Sequence, residues 1–526
     1  MINKRLLRKV FYLDLAFSFI ASMLILSYAI AAPKPTPIPS EKPQYGGVLK
    51  IITTGGIINL GYPAQPNNPF DITYGAPAVE TLLRYDEKGN PVPWLATGWK
   101  ISPDSKSITF TLRKGVKFHD GTDFNAEAVK FLMDMYRTSP KGELKVVSSV
   151  DTIDDYTVRL NLSQFEGHIL NSLGVTPGLM VSPTALKANP KEWCFTNPVG
   201  TGPFKIVSHQ RDVSLKYQRF DGYWQKGKPY VDGIEFQIIA DQTTALMAFK
   251  AGEAQELMRI IEVKDAAELQ GTGKYIIDKN PVAVFGLAGD GGNPQSPFAD
   301  IRVRRAVGYA IDKENMIKEL YYGLYDAVHQ TAVSESINYN PSVVGYSYNP
   351  QKAKDLLSQA GYPNGFKTRL IFRTNDHKDL FVAIQGYLSE VGIDAKMEIV
   401  TPALYSQITT SGWDNGLVYW NLPCGRGMDP GQGALRNLSN KSILFKSTIH
   451  PEAFEAKLSQ AVSEPNFEKR KALFQELTKL IVDEYCMVCP IYLGYAIAAR
   501  TPKVHNVRIF EIWPTNWTPE EVWLSK

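Results

Sequence analysis

SITFTLRKGVKFHDGTDFNAEAVKFLMDMY, Ser107 to Tyr136, is the stretch whose reading decides the fold. Ser107 to Arg113 alternates, with Ile108, Phe110 and Leu112 on one face and hydroxyls or charge on the other. A period of two predicts a half-buried strand. Lys114-Gly115 predicts a turn, and Val116-Lys117-Phe118 resumes the alternation as the second arm of a hairpin. His119-Asp120-Gly121 turns the chain again. Asn125 then precedes Val129, Leu132, Met133 and Tyr136, spaced i, i+3, i+4 and i+7, the stripe of an amphipathic helix behind its N-cap. Strand, turn and helix signals agree with one another.

Outward from that stretch, the length sets the scale. The chain has 526 residues, too many for one ordinary core, so two or three lobes are expected. Hydrophobic content of 44% and charge of 21% are those of a soluble globular protein. Net charge is +4, and the first 32 residues alone hold Lys4, Arg5, Arg8 and Lys9 against Asp14. The rest is close to neutral, which argues against nucleic acid or an acidic membrane surface as a partner. Arg302, Arg304 and Arg305 form a small basic cluster, read as a solvated helix face.

The N-terminus reads as a signal peptide, residues 1–31. A basic n-region precedes the apolar run Leu15 to Leu26, and Ala29-Ile30-Ala31 is a small-x-small cleavage site. A retained anchor is the alternative, since Val10 to Ile30 approaches spanning length. No cysteine lies near the site, so no lipid anchor is expected. Residues 32–44 are a Pro-rich tether, with five prolines between Pro33 and Pro43. The bulk of the chain is therefore expected outside the cytoplasm. Four cysteines remain, Cys194, Cys424, Cys486 and Cys489. Cys486-Met-Val-Cys489 has the spacing of a redox or zinc half-site, but no second half completes it. Structural thiols or a disulfide are expected there, and no cofactor or metal.

Tyr45 to Ile52 predicts the first strand of the globular part, and Thr53-Thr54-Gly55-Gly56 is a polar exit that lets a ligand approach the backbone closely. Ala76 to Tyr85 predicts a short amphipathic helix. In Gly200-Thr201-Gly202-Pro203 no helix start and no Lys-Ser/Thr follow, so a phosphate loop is excluded. Asp241 predicts a helix cap, with Gly252 closing the helix. Pro281 to Asn293 reads as a crossing between lobes, loosened by Gly286, Gly289, Gly291 and Gly292. Beyond it helices and strands alternate: Thr368 to Phe372, a helix through Phe381 and Leu388, and Asp394 to Val400 predict parallel strands. Pro490 to Tyr495 reads as the return crossing.

Several of these words resemble one family. LRKGVKFHDGTDFNAEAVKF, the GTGP loop at Gly200 to Pro203, and PFADIRVRRAVGYAIDKENMI at Pro297 to Ile317 are similar to the peptide/nickel family of extracytoplasmic solute-binding proteins, receptors of ATP-binding-cassette importers. The resemblance implies an α/β, two-lobed periplasmic-binding-protein fold of the large cluster-C-like type, with an interlobe cleft and a hinge. Lobe one is expected over 45–281 with the return at 491–526, and lobe two over 282–490. It implies a small-molecule solute and importer permease subunits as partners, no catalysis, and a monomer. Glu80 stands at an acidic position typical of the family and reads as structural.

Peptide receptors of this family place an aspartate shortly after the Trp ending a lobe-two strand, to pair with the ligand's ammonium. Here Trp420 is followed by Asn421-Leu422-Pro423-Cys424, and only Asp429 matches the later Asp-Pro. An oligopeptide or peptide-like solute stays open beside an oligosaccharide. Candidate ligand residues are Thr54, Gly55 and Thr201, with Arg373 for a carboxylate. Trp413 and Trp420 offer stacking faces, as does Tyr419, and Asp429 completes the set. A nickel or haem receptor is the alternative. A secreted hydrolase is a weaker one, since no G-x-S-x-G or H-E-x-x-H occurs and only seven scattered histidines are present.

Overall fold

The computed structural model describes residues 42–63, 69–86, 89–139, 144–260, 262–424, 428–507 and 519–526. The signal peptide, with all but the last three residues of the tether, lies outside them. Strand Ser107–Leu112 buries Ile108, Phe110 and Leu112 as the alternation requires. It pairs with Ala96–Ile101 and Thr157–Leu162 in a four-stranded sheet closed by Val147–Asp154. The expected hairpin arm at Val116 to Phe118 shrinks to one bridge, Lys117 to Asp123. Val116 and Phe118 are buried, and their backbones bond across the next turn, with the Phe118 amide donating to Thr122 O at 2.9 Å and the Phe124 amide to Val116 O at 3.0 Å. Helix Ala126–Arg137 follows, with the Asn125 side chain accepting from the Ala128 amide and Val129, Leu132, Met133 and Tyr136 buried.

The expected helix over Ala76 to Tyr85 does not form. Glu80–Thr81 pairs with Leu179–Met180, and Leu83–Tyr85 with Pro91–Pro93. Ala76, Ala78, Val79, Leu82 and Leu83 are all buried, so the segment is enclosed on every side instead of presenting one stripe. Its carbonyls are also taken by a neighbour: the Gly202 amide donates to Ala78 O at 2.9 Å and the Phe204 amide to Pro77 O at 3.0 Å. Tertiary partners have outbid local periodicity.

An 11-stranded sheet runs through the whole body. At one end Val48–Thr53 lies parallel to Gly233–Ile238 and Glu256–Leu257. At the other, Phe366–Arg373 lies parallel to Ile393–Val400 and Gly416–Pro423. Two long strands, Ile276–Gly289 and Cys489–Arg500, join the ends and pair antiparallel with each other, from Ile276 opposite Arg500 to Leu287 opposite Cys489. Irregularities interrupt that ribbon at Pro281/Ala283 and Phe285/Gly286.

The glycines expected to loosen the first crossing do the opposite. A Cβ on Gly286 would lie 2.1 Å from the Cys489 carbonyl oxygen, and one on Gly289 2.8 Å from the Phe298 ring. They are small because the ribbon is tight. One apolar cluster holds Leu49 to Met258 with Ala498, Val504 and Val522. A second joins Ile52 and the helices Gln242–Lys250 and Val263–Gly271 to Leu287, Phe372, Tyr419 and Tyr492. A third lies around Trp420, Phe454 and Phe474.

The basic cluster is also not the solvated face expected. Arg304 is buried, and its guanidinium donates to the carbonyls of Cys486 (2.9 Å), Phe298 (2.6 Å) and Tyr485 (2.7 Å). It pins the loop that feeds the return strand. All four cysteines are free thiols.

Candidate functional site

In open α/β sheets, ligands settle beyond the carboxyl ends of parallel strands, where loops leave a crevice. The strand Phe366–Arg373 ends there, and Glu262, Val263 and Lys264 begin the helix that follows Glu256–Leu257. Between them lies a cavity of about 520 Å³. Its walls include Tyr321, Tyr325, Arg373, Asp376, Tyr419 and Tyr492.

Arg373 anchors it. Its Nη2 donates to Asp376 Oδ1 at 2.6 Å and its Nε to the same carboxylate at 3.0 and 3.1 Å. Asp376 also accepts from the Arg373 amide at 2.8 Å, so the pair is tied at the strand's last residue. Nη1 makes no hydrogen bond within the described residues. The guanidinium lies 5.3 Å from the Tyr405 ring centroid and 5.9 Å from that of Tyr419. A fixed guanidinium with one unused edge is suited to receive a carboxylate.

The apolar side of the cavity is a set of near-parallel rings. Phe285 stacks on Tyr419 (5.5 Å) and Tyr492 (5.0 Å), and Tyr325 on Tyr321 (4.5 Å) and Tyr492 (5.8 Å). The hydroxyls of Tyr419 and Tyr492 bond each other, and that of Tyr405 donates to the Tyr419 carbonyl. Burial raises the pKa of every one of these phenols, that of Tyr325 to about 12, so they remain neutral donors.

Of the eight candidate residues, Arg373 and Tyr419 line this cavity. Thr201 is buried and donates to Glu80 Oε2 at 2.9 Å. Trp413 donates its indole N–H to Gly416 O at 3.0 Å, inside the third cluster. Trp420 is fully enclosed there, and its Nε1 has no partner among the described residues. Asp429 caps helix Pro430–Asn437, accepting from the Gly431 amide at 2.8 Å. Thr54 and Gly55 sit at a strand exit covered by Arg259, whose Nη1 is 2.2 Å from where a Gly55 Cβ would stand. The structure therefore brings Arg373 and Tyr419 together and leaves the other six apart from them.

Sequence reading missed Glu262, Tyr321, Tyr325, Asp376 and Tyr492. Two signals were available: Tyr321-Tyr322-Gly-Leu-Tyr325 is dense in aromatics, and Asp376 stands three residues after Arg373. Glu80 is structural, as expected. Its carboxylate accepts from Trp94 (2.8 Å), Tyr223 (2.9 Å), Thr201 (2.9 Å) and Trp224 (3.0 Å). Burial pushes its pKa up to about 7, opposed by Arg84 and these donors. No group of three His, Cys, Asp or Glu that could hold a metal ion occurs among the described residues.

Two parallel-stranded ends, a ribbon between them and a crevice at the strand exits define the class of two-lobed extracytoplasmic binding proteins. The sequence model of the bacterial extracellular solute-binding proteins, family 5, matches residues 90–431, and the chain belongs to that family. It is 31% identical over 364 residues to the glutathione-binding protein GsiB of Pectobacterium atrosepticum, spanning 68% of this chain and 70% of that one. It is 29% identical over 448 residues to heme-binding protein A of Haemophilus influenzae, spanning 78% and 80%. The Helicobacter pylori binding protein DppA, solved with the peptide STSA, superposes with a TM-score of 0.73 at 25% identity, covering 92% of this chain and 99% of that one. The chain is a solute-binding receptor, and its family is one of binding proteins that serve ATP-binding-cassette importers.

Proposed function

We propose that the protein captures a small carboxylate-bearing solute, a short peptide or peptide-like molecule, in the cavity beside Arg373 and hands it to the permease subunits of an importer. The observation that supports this is the Arg373 guanidinium, held by Asp376 with Nη1 unused, at the edge of a cavity of about 520 Å³. Lobe one, 45–281 with 491–526, and lobe two, 282–490, close on the solute by flexing the ribbon, and the permease reads the closed form. The solute leaves unaltered, and the receptor acts as a monomer. In this reading residues 1–31 direct export and the receptor works outside the cytoplasm. Among the described residues no helix is long and apolar enough to cross a membrane.

The ring array favours a second reading, a flat or ring-bearing solute such as an oligosaccharide or a planar metal chelate, stacking where Tyr321 and Tyr325 already stack. A thermal-shift screen separates the two. Glutathione, Ser-Thr-Ser-Ala, maltotriose, haem and nickel–EDTA are each added to wild type and to Arg373→Ala. A true solute at 100-fold its dissociation constant stabilises by about 2.7 kcal/mol. Peptide binding that Arg373→Ala abolishes supports the first reading. Binding of maltotriose or a chelate that survives Arg373→Ala supports the second.

A further inference from the structure

Away from the solute cavity, a second contact ties the two ends of the molecule. The Gly167 amide donates to Val462 O at 2.9 Å. Gly167 stands between Phe165 and Ile169 of the first apolar cluster, whereas Val462 ends a helix, Glu452–Ser463, whose Phe454, Leu458 and Ala461 belong to the third. The bond therefore joins two separate cores. It forms because residue 167 has no side chain: a Cβ there would lie 2.8 Å from Arg470 Cδ and 3.0 Å from its Nε and Cζ. Arg470, from helix Phe467–Lys479, is 7% exposed. Its Nη1 donates to Glu464 O at 3.2 Å, while its Nε is buried without an acceptor among the described residues. Beside it a cavity of about 40 Å³ is walled by Asn90 and Asn171 from one side and Ser336, Asp429 and Arg470 from the other.

We propose that Gly167 and Arg470 form a closure latch: the glycine lets the backbone of one lobe seat on the arginine stem of the other and reach its carbonyl. This rests on the reading that the lobes part and close on a solute. The latch is weak by construction. One hydrogen bond and the packing of an aliphatic stem favour closure, while enclosing the guanidinium, a cost that the neighbouring Asp429 and Glu464 carboxylates offset in part, favours opening, which returns that group to water. The terms oppose one another, so the solute decides which state is populated. The latch would set how far shut the receptor rests, and hence how much of the solute's binding energy goes into closing it.

The test uses the full chain in four forms: wild type, Gly167→Leu, Arg470→Ala and the double variant, with Gly167→Ala as a milder probe should the leucine lower the melting temperature. Small-angle scattering and hydrogen exchange over residues 163–173 are measured without solute. Gly167→Leu should enlarge the radius of gyration and speed exchange of that segment by about tenfold, the scale of one hydrogen bond. The double variant should return towards wild type, because leucine refills the space that the arginine leaves. Wild-type scattering and exchange in the leucine and alanine variants would overturn the latch, as would purely additive effects in the double variant. Glutathione and Ser-Thr-Ser-Ala binding is followed in parallel by calorimetry. If neither binds any form while the leucine variant opens, the solute reading fails and the latch stands. If both bind all forms alike and the scattering is unchanged, the latch fails and the solute reading stands.

Discussion

Glu80 and Arg373 each sit among aromatic side chains, and they differ in how fully their hydrogen bonds are met. Four donors fill both oxygens of Glu80, and two of them are indoles. Arg373 has one carboxylate partner and an idle edge beside open space. A charge with every valence satisfied holds its own lobe together. A charge left partly unsatisfied at a cavity wall is available to a guest. The degree of satisfaction, rather than residue type, separates the two roles.

The largest test of that contrast is Glu80→Ala. It strands Trp94, Trp224, Tyr223 and Thr201 donors in a dry site, and should cost about 3–5 kcal/mol in urea unfolding. Normal stability with lost solute binding would break the comparison. Glu256 tests the intermediate case, a carboxyl that is buried with Oε2 unpartnered. Burial, with the Asp278 charge adding and Arg500 opposing, raises its pKa to about 8. The folded state therefore holds a proton that the unfolded chain releases near a free glutamate's ordinary 4.5. Stability falls as pH rises between those limits, by about 1.4 kcal/mol per pH unit for this one group. Glu256→Gln should remove that slope and leave the protein more stable than wild type at pH 8. An unchanged urea midpoint at pH 5 and pH 8 would refute the assignment.

Arg373→Ala comes next, with solute affinity lowered about 10–100-fold in calorimetry, the scale of a charge-assisted hydrogen bond. Tyr492→Phe should be smallest. It removes the hydroxyl shared with Tyr419 while keeping the stacked ring, and should cost about 0.5–1.5 kcal/mol in urea unfolding. A larger loss there than at Glu80 would invert the ranking on which the comparison depends.

Much of the fold was legible because the relevant signals are local. Asn125 and Asp241 each cap a helix by accepting from an amide three residues ahead, a pattern that sequence displays directly, whereas Asp429, read as a ligand residue, is a third cap. The parallel strands at Thr368 and Asp394 were equally visible in their apolar runs. The segment Ala76 to Tyr85 was not, since Glu80–Thr81 forms a strand through partners about 100 residues away at Leu179 and Met180, and only Leu83–Tyr85 has a nearby partner in Pro91–Pro93. Distance in the chain also hid the site. Arg373 was legible as a charge at a strand exit, but its cavity is closed by Tyr321 and Tyr492 from elements that sequence does not place together. Trp413 and Trp420 misled for a related reason: a large flat side chain looks the same in sequence whether it meets a guest or fills a core.

The paired crossing strands set the geometry of any movement between the two ends. Two passages zipped edge to edge by a ladder from Ile276 to Leu287 behave as the spine of a book rather than as two loose cords. Folding about that spine leaves the ladder intact, whereas sliding one cover along the other would tear it. If the lobes close as proposed, every guest, large or small, would meet the same arc of travel, and discrimination would fall to the pages instead of the binding.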